Sequence, residues 1–152
     1  MSESVTIKIP IPPSVNHAYK NAPYSTTNGR GERIVRQARV LTDEAQIWMN
    51  TAGMVARVAA RREGWKIRES KVVLELEVVW PDRRRRDIHN LHKLIGDVLE
   101  GIVVTDDRYL LIRDVDFEVD ARESGLWVRW YDKDVSEPGL RARGGKDDTR
   151  AV

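Results

Sequence analysis

Residues 71–80, KVVLELEVVW, are the most strand-like stretch of the chain, and they run through Pro81 and Asp82 into four consecutive arginines, Arg83 to Arg86. β-Branched residues dominate the stretch. Leu74 and Leu76 alternate with Glu75 and Glu77, the period of a pleated strand with one face in a core. Pro81 lacks the ladder donor and ends it. The arginines cannot follow the strand inward, because four guanidinium groups repel one another and an unpaired buried charge is very costly. The fold must therefore bring the end of a core strand to the surface and display a concentrated positive charge there.

A helix is expected directly afterwards, over residues 87–100. Ile88, Leu91, Leu94, Ile95, Val98 and Leu99 recur at helical spacing, and Gly101 suits the C-terminal cap. Asp87 stands at its start, where a carboxylate can accept a backbone N–H two or three residues on. Asn90, Lys93 and Asp97 share one polar edge of the helix. Taken singly these residues have ordinary structural roles: a cap, a surface ion pair, exposed histidines. Capping, however, explains neither the arginines nor His89. Taken together they have a chemical reading. A hard divalent cation such as Mg²⁺ prefers a few carboxylate oxygens, with water and substrate phosphate completing its shell. Asp87 can supply one oxygen, and Asp106 or Asp107, in the turn-like Thr105-Asp106-Asp107, another. The arginines can hold flanking phosphates by bidentate hydrogen bonds. Lys93 can stabilise charge developing on a scissile phosphate. This is the equipment of a metal-dependent phosphodiesterase.

The rest of the chain frames that site. Residues 5–11 alternate as a half-buried strand ended by Pro10, Pro12 and Pro13. Residues 14–40 show no sustained period and read as a long, basic loop. Thr42 is a good N-cap, and Ala45, Trp48, Met49, Ala52, Val55, Ala56 and Ala59 predict a helix over residues 43–62, ended by Gly64. Its small residues suit close packing on a sheet. Residues 109–119 and 126–131 read as two strands joined by a turn near Gly125. Residues 132–152 are charged and glycine-rich, and a flexible C-terminal tail is expected there after a domain over residues 1–131. The element order predicts an α+β fold: a small mixed or antiparallel sheet of about four strands with two helices on one face.

At 152 residues the chain suits one domain. It has no cysteine, which excludes disulfides and cysteine-based zinc sites. No apolar run approaches a membrane span, and the N-terminus lacks a signal-peptide pattern, so an intracellular protein is expected. Net charge is only +2, so it is the clustering of basic residues near residues 30–39, 57–66 and 83–86 that points toward nucleic acid.

The run PDRRRRDIHNLHK, with Asp107 fourteen residues after Lys93, resembles the RusA family of Holliday-junction resolvases. Members carry Pro-Asp, several arginines, Asp-x-Asp-Asn-x-x-Lys and a later Asp-Asp turn. The stretch IPIPPSVNHAYK at residues 9–20 is similar to the family's N-terminal segment, and the likeness spans about residues 5–131. It implies a RusA-like fold and a homodimer that binds four-way DNA junctions and nicks two strands symmetrically with Mg²⁺ or Mn²⁺. It also implies a cytoplasmic setting, in a bacterial cell or a phage-infected host. The family's first catalytic Asp falls on Asp87, its Lys on Lys93 and its last Asp on Asp107, with Asp106 beside it. Arg83, Arg84, Arg85 and Arg86 carry over as DNA contacts, joined by Asn16, Lys20 and Asn90. The departure is at the second Asp of Asp-x-Asp, which here is His89. An imidazole can ligate a divalent ion but brings no negative charge, and it suits Mn²⁺ or Zn²⁺ better than Mg²⁺. The rival readings are a nuclease for forks or flaps, a branched-DNA binder without cleavage, and a protein-binding module whose arginines meet an acidic partner.

Overall fold

The computed structural model describes residues 4–141. A four-stranded sheet in the order β1-β6-β4-β5 forms its centre. It comprises β1 (Ser4–Ile9), β4 (Val72–Trp80), β5 (Leu110–Val119) and β6 (Gly125–Asp132). β6 runs antiparallel to both β1 and β4, while β4 and β5 are parallel. The sheet is thus mixed, and the fold is α+β as expected. Residues 142–152, most of the expected tail, lie outside the described residues. Within that tail Asp132 is still part of β6, paired with Val72.

β4 is the spine. Val72, Leu74, Leu76, Val78 and Trp80 are buried, whereas Glu75 and Glu77 point to the open face. Helix α2 (Asp43–Arg62) has the bounds its sequence predicts, with the Thr42 side chain accepting the Ala45 N–H. Its buried stripe of Ala45, Ala52, Gly53, Ala56, Ala59 and Ala60 lets the helix lie close to β1. Trp48 adds a specific tie, its indole Nε1 donating to the Pro10 carbonyl at 2.7 Å. That bond fixes the Pro10–Pro13 segment against α2. Helix α3 (His92–Leu99) follows β4 and packs beside α2, with Leu94, Ile95, Val98 and Leu99 buried in the same core. A 3₁₀ turn, Ile88–Leu91, occupies the first part of the expected 87–100 helix, so the α-helix proper starts five residues later.

One expectation needs correction. Residues 14–40 are not an irregular loop. A short helix α1 (Val15–Ala18) leads into a two-stranded antiparallel ribbon, β2 (Tyr19–Thr27) and β3 (Arg33–Leu41). The ribbon pairs with neither edge of the central sheet. One face is half-buried, with Ala22, Thr26, Ile34, Ala38 and Val40, but Lys20 and Arg36 interrupt it, which breaks the apolar alternation by which strands are read from sequence. β5 and β6 are the two strands expected, joined by a short connection; in the sheet β4 lies between them, and the chain crosses its end with the Asp120 N–H bonded to the Trp80 carbonyl. The parallel β4-α3-β5 unit matters for the site. Its register, Val72 opposite Leu110, puts the turn before β5 at the start of β4, while the arginines leave the end of β4.

Candidate active site

Asp82 organises the arginine run. Its carboxylate accepts the Arg84 backbone N–H at 3.0 Å and a two-pronged contact from Arg86, at 2.6 and 3.1 Å. The Arg86 guanidinium also lies over the Trp80 ring, 5.3 Å from its centroid. Hydrogen bonding from Arg86, then from the Arg84 backbone, pulls the Asp82 pKa down to about 2. Asp82 was not foreseen as part of the site, although a carboxylate four residues before an arginine is a recognisable pairing signal. The run is thus Arg86 tied closely to Asp82, Arg84 at the edge of the same carboxylate at 3.9 Å, and two cations, Arg83 and Arg85, without an acidic partner among the described residues.

Arg84, Arg85 and Arg86 line an open groove of about 720 Å³ together with Pro12, Pro13, Ser14, Asn16, Asp87 and Asn90. The structure therefore brings the N-terminal Pro-Pro-Ser-Val-Asn segment to the arginine run, as needed for Asn16 to share their ligand. Lys20 lies outside this lining, at the root of the ribbon.

Asp87 is the cap its position suggests: Oδ1 accepts the His89 N–H at 3.0 Å, and its carbonyl accepts from Asn90. The same Oδ1 stands 2.8 Å from His89 Nδ1. The chain of contacts continues. His89 Nε2 is 3.7 Å from Asp114 Oδ2, and Asp114 Oδ1 is 2.7 Å from His92 Nε2. Asp114 sits on β5 opposite Leu76, beneath the start of α3. Asp87 therefore belongs to an alternating row, Asp87–His89–Asp114–His92, of which only the first two are site residues by sequence. The hydrogen bond that His89 donates to Asp87, ahead of that carboxylate's charge, raises the His89 pKa and lowers that of Asp87. The signs set a window. The raised imidazole contributes stability below its unfolded value near 6.5 and loses it as pH rises through the folded one. The depressed carboxylate contributes above about 3.9 and loses it as pH falls. The pair is exposed, so its contribution to stability is small.

A second group lies at the other end of α3. Glu100, Asp106 and Asp107 present carboxylate oxygens within 4.8 Å of one another. Among the described residues this is the one group of three or more such side chains meeting that distance, so Asp107 does not join Asp87 and His89 in a single cluster. The parallel register explains the separation, and α3, about 12 Å long at 1.5 Å per residue, spans it. The two aspartates differ in freedom. Asp106 caps the next 3₁₀ turn through Arg108 N–H at 2.9 Å and faces the Arg108 side chain at 3.7 Å. The Asp107 backbone N–H donates to Glu100, and its carboxylate lies over Gly96, 3.9 Å from where a side chain there would begin. Three carboxylates on a partly open surface suit a hard divalent cation. Glu100 was not foreseen, since it reads as the last helical residue.

Lys93 lies between the two groups on α3. Its Nζ is 3.6 Å from Asp97 and faces the Tyr19 ring, whose hydroxyl donates to Asp97 at 3.3 Å. The negative charge of Asp97, then Tyr19, raises the Lys93 pKa. Lys93 is thus a held, permanent cation, fit to meet a phosphate and unfit as a base.

The family model for the endodeoxyribonuclease RusA matches residues 10–129. The matched span runs from the Pro-Pro-Ser segment through the arginine run and both acidic groups into β6. No curated protein matches the chain. No helix among the described residues is long and apolar enough to cross a membrane.

Proposed function

From the premise that the chain belongs to the RusA endodeoxyribonuclease family, structure-specific endonucleases of the Holliday-junction-resolvase type, we propose that it binds four-way DNA junctions and nicks two strands symmetrically with a divalent metal ion. The observation that carries this reading is the groove in which Arg84, Arg85, Asn16 and Asn90 converge beside Asp87. Arginines there contact phosphates, which position a substrate without reading its sequence. A junction is distinguished by shape and deformability, so no base-reading element is needed.

In this reading Asp107, with Glu100 and Asp106, holds the cation, and Asp87 with His89 supplies a second donor pair. A bound Mg²⁺ or Mn²⁺ supplies Lewis-acid chemistry: it neutralises phosphate charge and eases the ionisation of water. The protein's own share is positional. Lys93, kept cationic by Asp97, stabilises the extra negative charge of the five-coordinate phosphorus. Asp87 caps the turn that aims Asn90 into the groove. Asp114 restores beside His89 a negative charge that the family carries at that position. Two symmetric incisions need two copies of the site, so a homodimer belongs to the proposal. Edge strand β5, with Val115, Phe117 and Val119 exposed, is the surface such an association would cover.

The direct test incubates end-labelled four-way junction, replication fork and linear duplex with the protein in Mg²⁺ and in Mn²⁺. Paired nicks across the junction, with the other substrates cut far more slowly, are expected. Faster cutting of forks would reassign the substrate, and binding without nicks in either metal would leave a branched-DNA binder. A second expected result concerns the run itself. Arg84→Ala with Arg85→Ala should weaken binding to every DNA shape and flatten the plot of log K against log salt by about 1.8, roughly 0.9 for each phosphate no longer neutralised. Identical slopes for parent and double variant would mean the run meets something other than phosphate.

A further inference from the structure

Beyond Tyr19 and Lys20 at its root, the β2–β3 ribbon takes no part in the chemistry above. Each strand is nine residues, which makes the ribbon about 30 Å long. It stands apart from the central sheet, and its root adjoins both parts of the site. Asn16 on α1, just before it, lines the arginine groove, and Tyr19, its first residue, bonds Asp97 beside Lys93.

Its charge is one-sided. Lys20, Arg30, Arg33, Arg36 and Arg39 are all exposed, and the single acidic residue between Tyr19 and Leu41 is Glu32, in the turn. None of the five cations makes a salt bridge among the described residues. Arg33 is braced by Ser25 Oγ at 3.0 Å, and Arg39 lies over the Tyr19 ring, 4.8 Å from its centroid. These are neutral supports that leave the charge uncompensated. The register also distributes the cations over both faces. Arg33 and Arg39, opposite Thr27 and Asn21, share one face; Arg36 and Lys20, opposite Tyr24 and Val40, share the other. A ribbon meant to lie flat on an acidic protein would concentrate its charge on one face. Charge on both faces fits a slot with two negative walls. The major groove of duplex DNA, about 12 Å wide between phosphate rows, admits a two-stranded ribbon.

Resting on the junction-nuclease reading, we propose that the β2–β3 ribbon enters the major groove of a duplex arm next to the incision site. There Arg33 and Arg39 hold one phosphate row and Arg36 the other. Because the ribbon is an arm beside the core, these residues can be changed without disturbing the sheet.

The test is fluorescence anisotropy of a labelled four-way junction and of a linear duplex, without divalent ions, between 50 and 200 mM salt. The triple variant Arg33→Ala, Arg36→Ala, Arg39→Ala should lower the slope of log K against log salt by about 2.7 and weaken binding on the order of 10²-fold at 100 mM. An unchanged thermal midpoint shows that the core is intact. Arg→Lys at the same positions should restore the slope, since phosphate charge is still met. A triple variant that keeps the parent's slope overturns the ribbon proposal and assigns the arginines to another partner. A parent with no salt-dependent junction binding overturns the DNA-substrate reading as well, so the two failures are distinguishable.

Discussion

Asp107→Asn should stop strand cleavage, lowering its rate by about 10³-fold or more, while affinity for the four-way junction stays within a few fold. A loss of that size is about 4 kcal/mol of barrier. It is expected because Asp107 is the least committed carboxylate of its group. Asp106 uses one oxygen on the Arg108 N–H and faces that arginine's side chain. Asp107 has its backbone N–H held by Glu100, which fixes its place, and its carboxylate stands over Gly96 on the helix that carries Lys93. Asparagine keeps the size and one acceptor oxygen but removes the charge that a hard cation requires. DNA affinity should survive, because removing a negative charge does not weaken phosphate binding. Asp106→Asn should be milder, since the Asp106 carboxylate is already shared with Arg108 and asparagine caps a turn nearly as well as aspartate. A dead Asp106→Asn beside an active Asp107→Asn would reverse the assignment within the pair. Isothermal titration of Mn²⁺ into each variant supplies a readout independent of cleavage.

The parts legible in sequence are those in which local chemistry and burial agree. Helix α2 could be bounded to the residue because Thr42 caps it and its alanine stripe faces a sheet. β4 was legible because Leu74 and Leu76 are buried and Glu75 and Glu77 are not. The arginine run, Asp87, Lys93 and Asp107 form a pattern visible in the sequence, but that pattern does not reveal that Asp107 groups with Glu100 and Asp106 and apart from Asp87. What escaped is non-local or solvated. The ribbon has no fully buried face, so its nearest signal is Asn28-Gly29 and Gly31 between strand-forming residues, and Gly31 does adopt a positive φ of 78°. The strand order escaped because β6 inserts between β1 and β4, a choice made by packing. Asp114 looked like any exposed acid of an alternating strand. Only the parallel register with β4, setting it opposite Leu76, slides it beneath His89 and His92.

That register bears on which metal ion the site prefers. In the proposed reading His89 stands where the family motif has a metal-binding carboxylate, and the parent protein is expected to cleave junctions faster in Mn²⁺ than in Mg²⁺, by about ten-fold. Imidazole nitrogen is a better ligand for Mn²⁺ than for Mg²⁺, which dehydrates reluctantly and prefers oxygen. With Nδ1 held 2.8 Å from Asp87, the nitrogen outside hydrogen-bond reach of a carboxylate is Nε2, which faces Asp114 at 3.7 Å. His89→Asp should raise cleavage in Mg²⁺ and bring the Mn²⁺ to Mg²⁺ rate ratio close to one. His89→Ala, which leaves neither donor, should lose on the order of 10²-fold in both metals, the scale of a removed metal partner. Asp114→Asn should fall in the same direction by less, because it removes only the neighbouring charge and leaves the imidazole. Its effect should also largely vanish in the His89→Asp background, where the carboxylate at 89 already supplies that charge. The decisive comparison is His89→Ala. If it cleaves at the parent's rate in both metals, His89 is an exposed neighbour of the site, and the metal preference must be set at the other end of α3, by Glu100, Asp106 and Asp107.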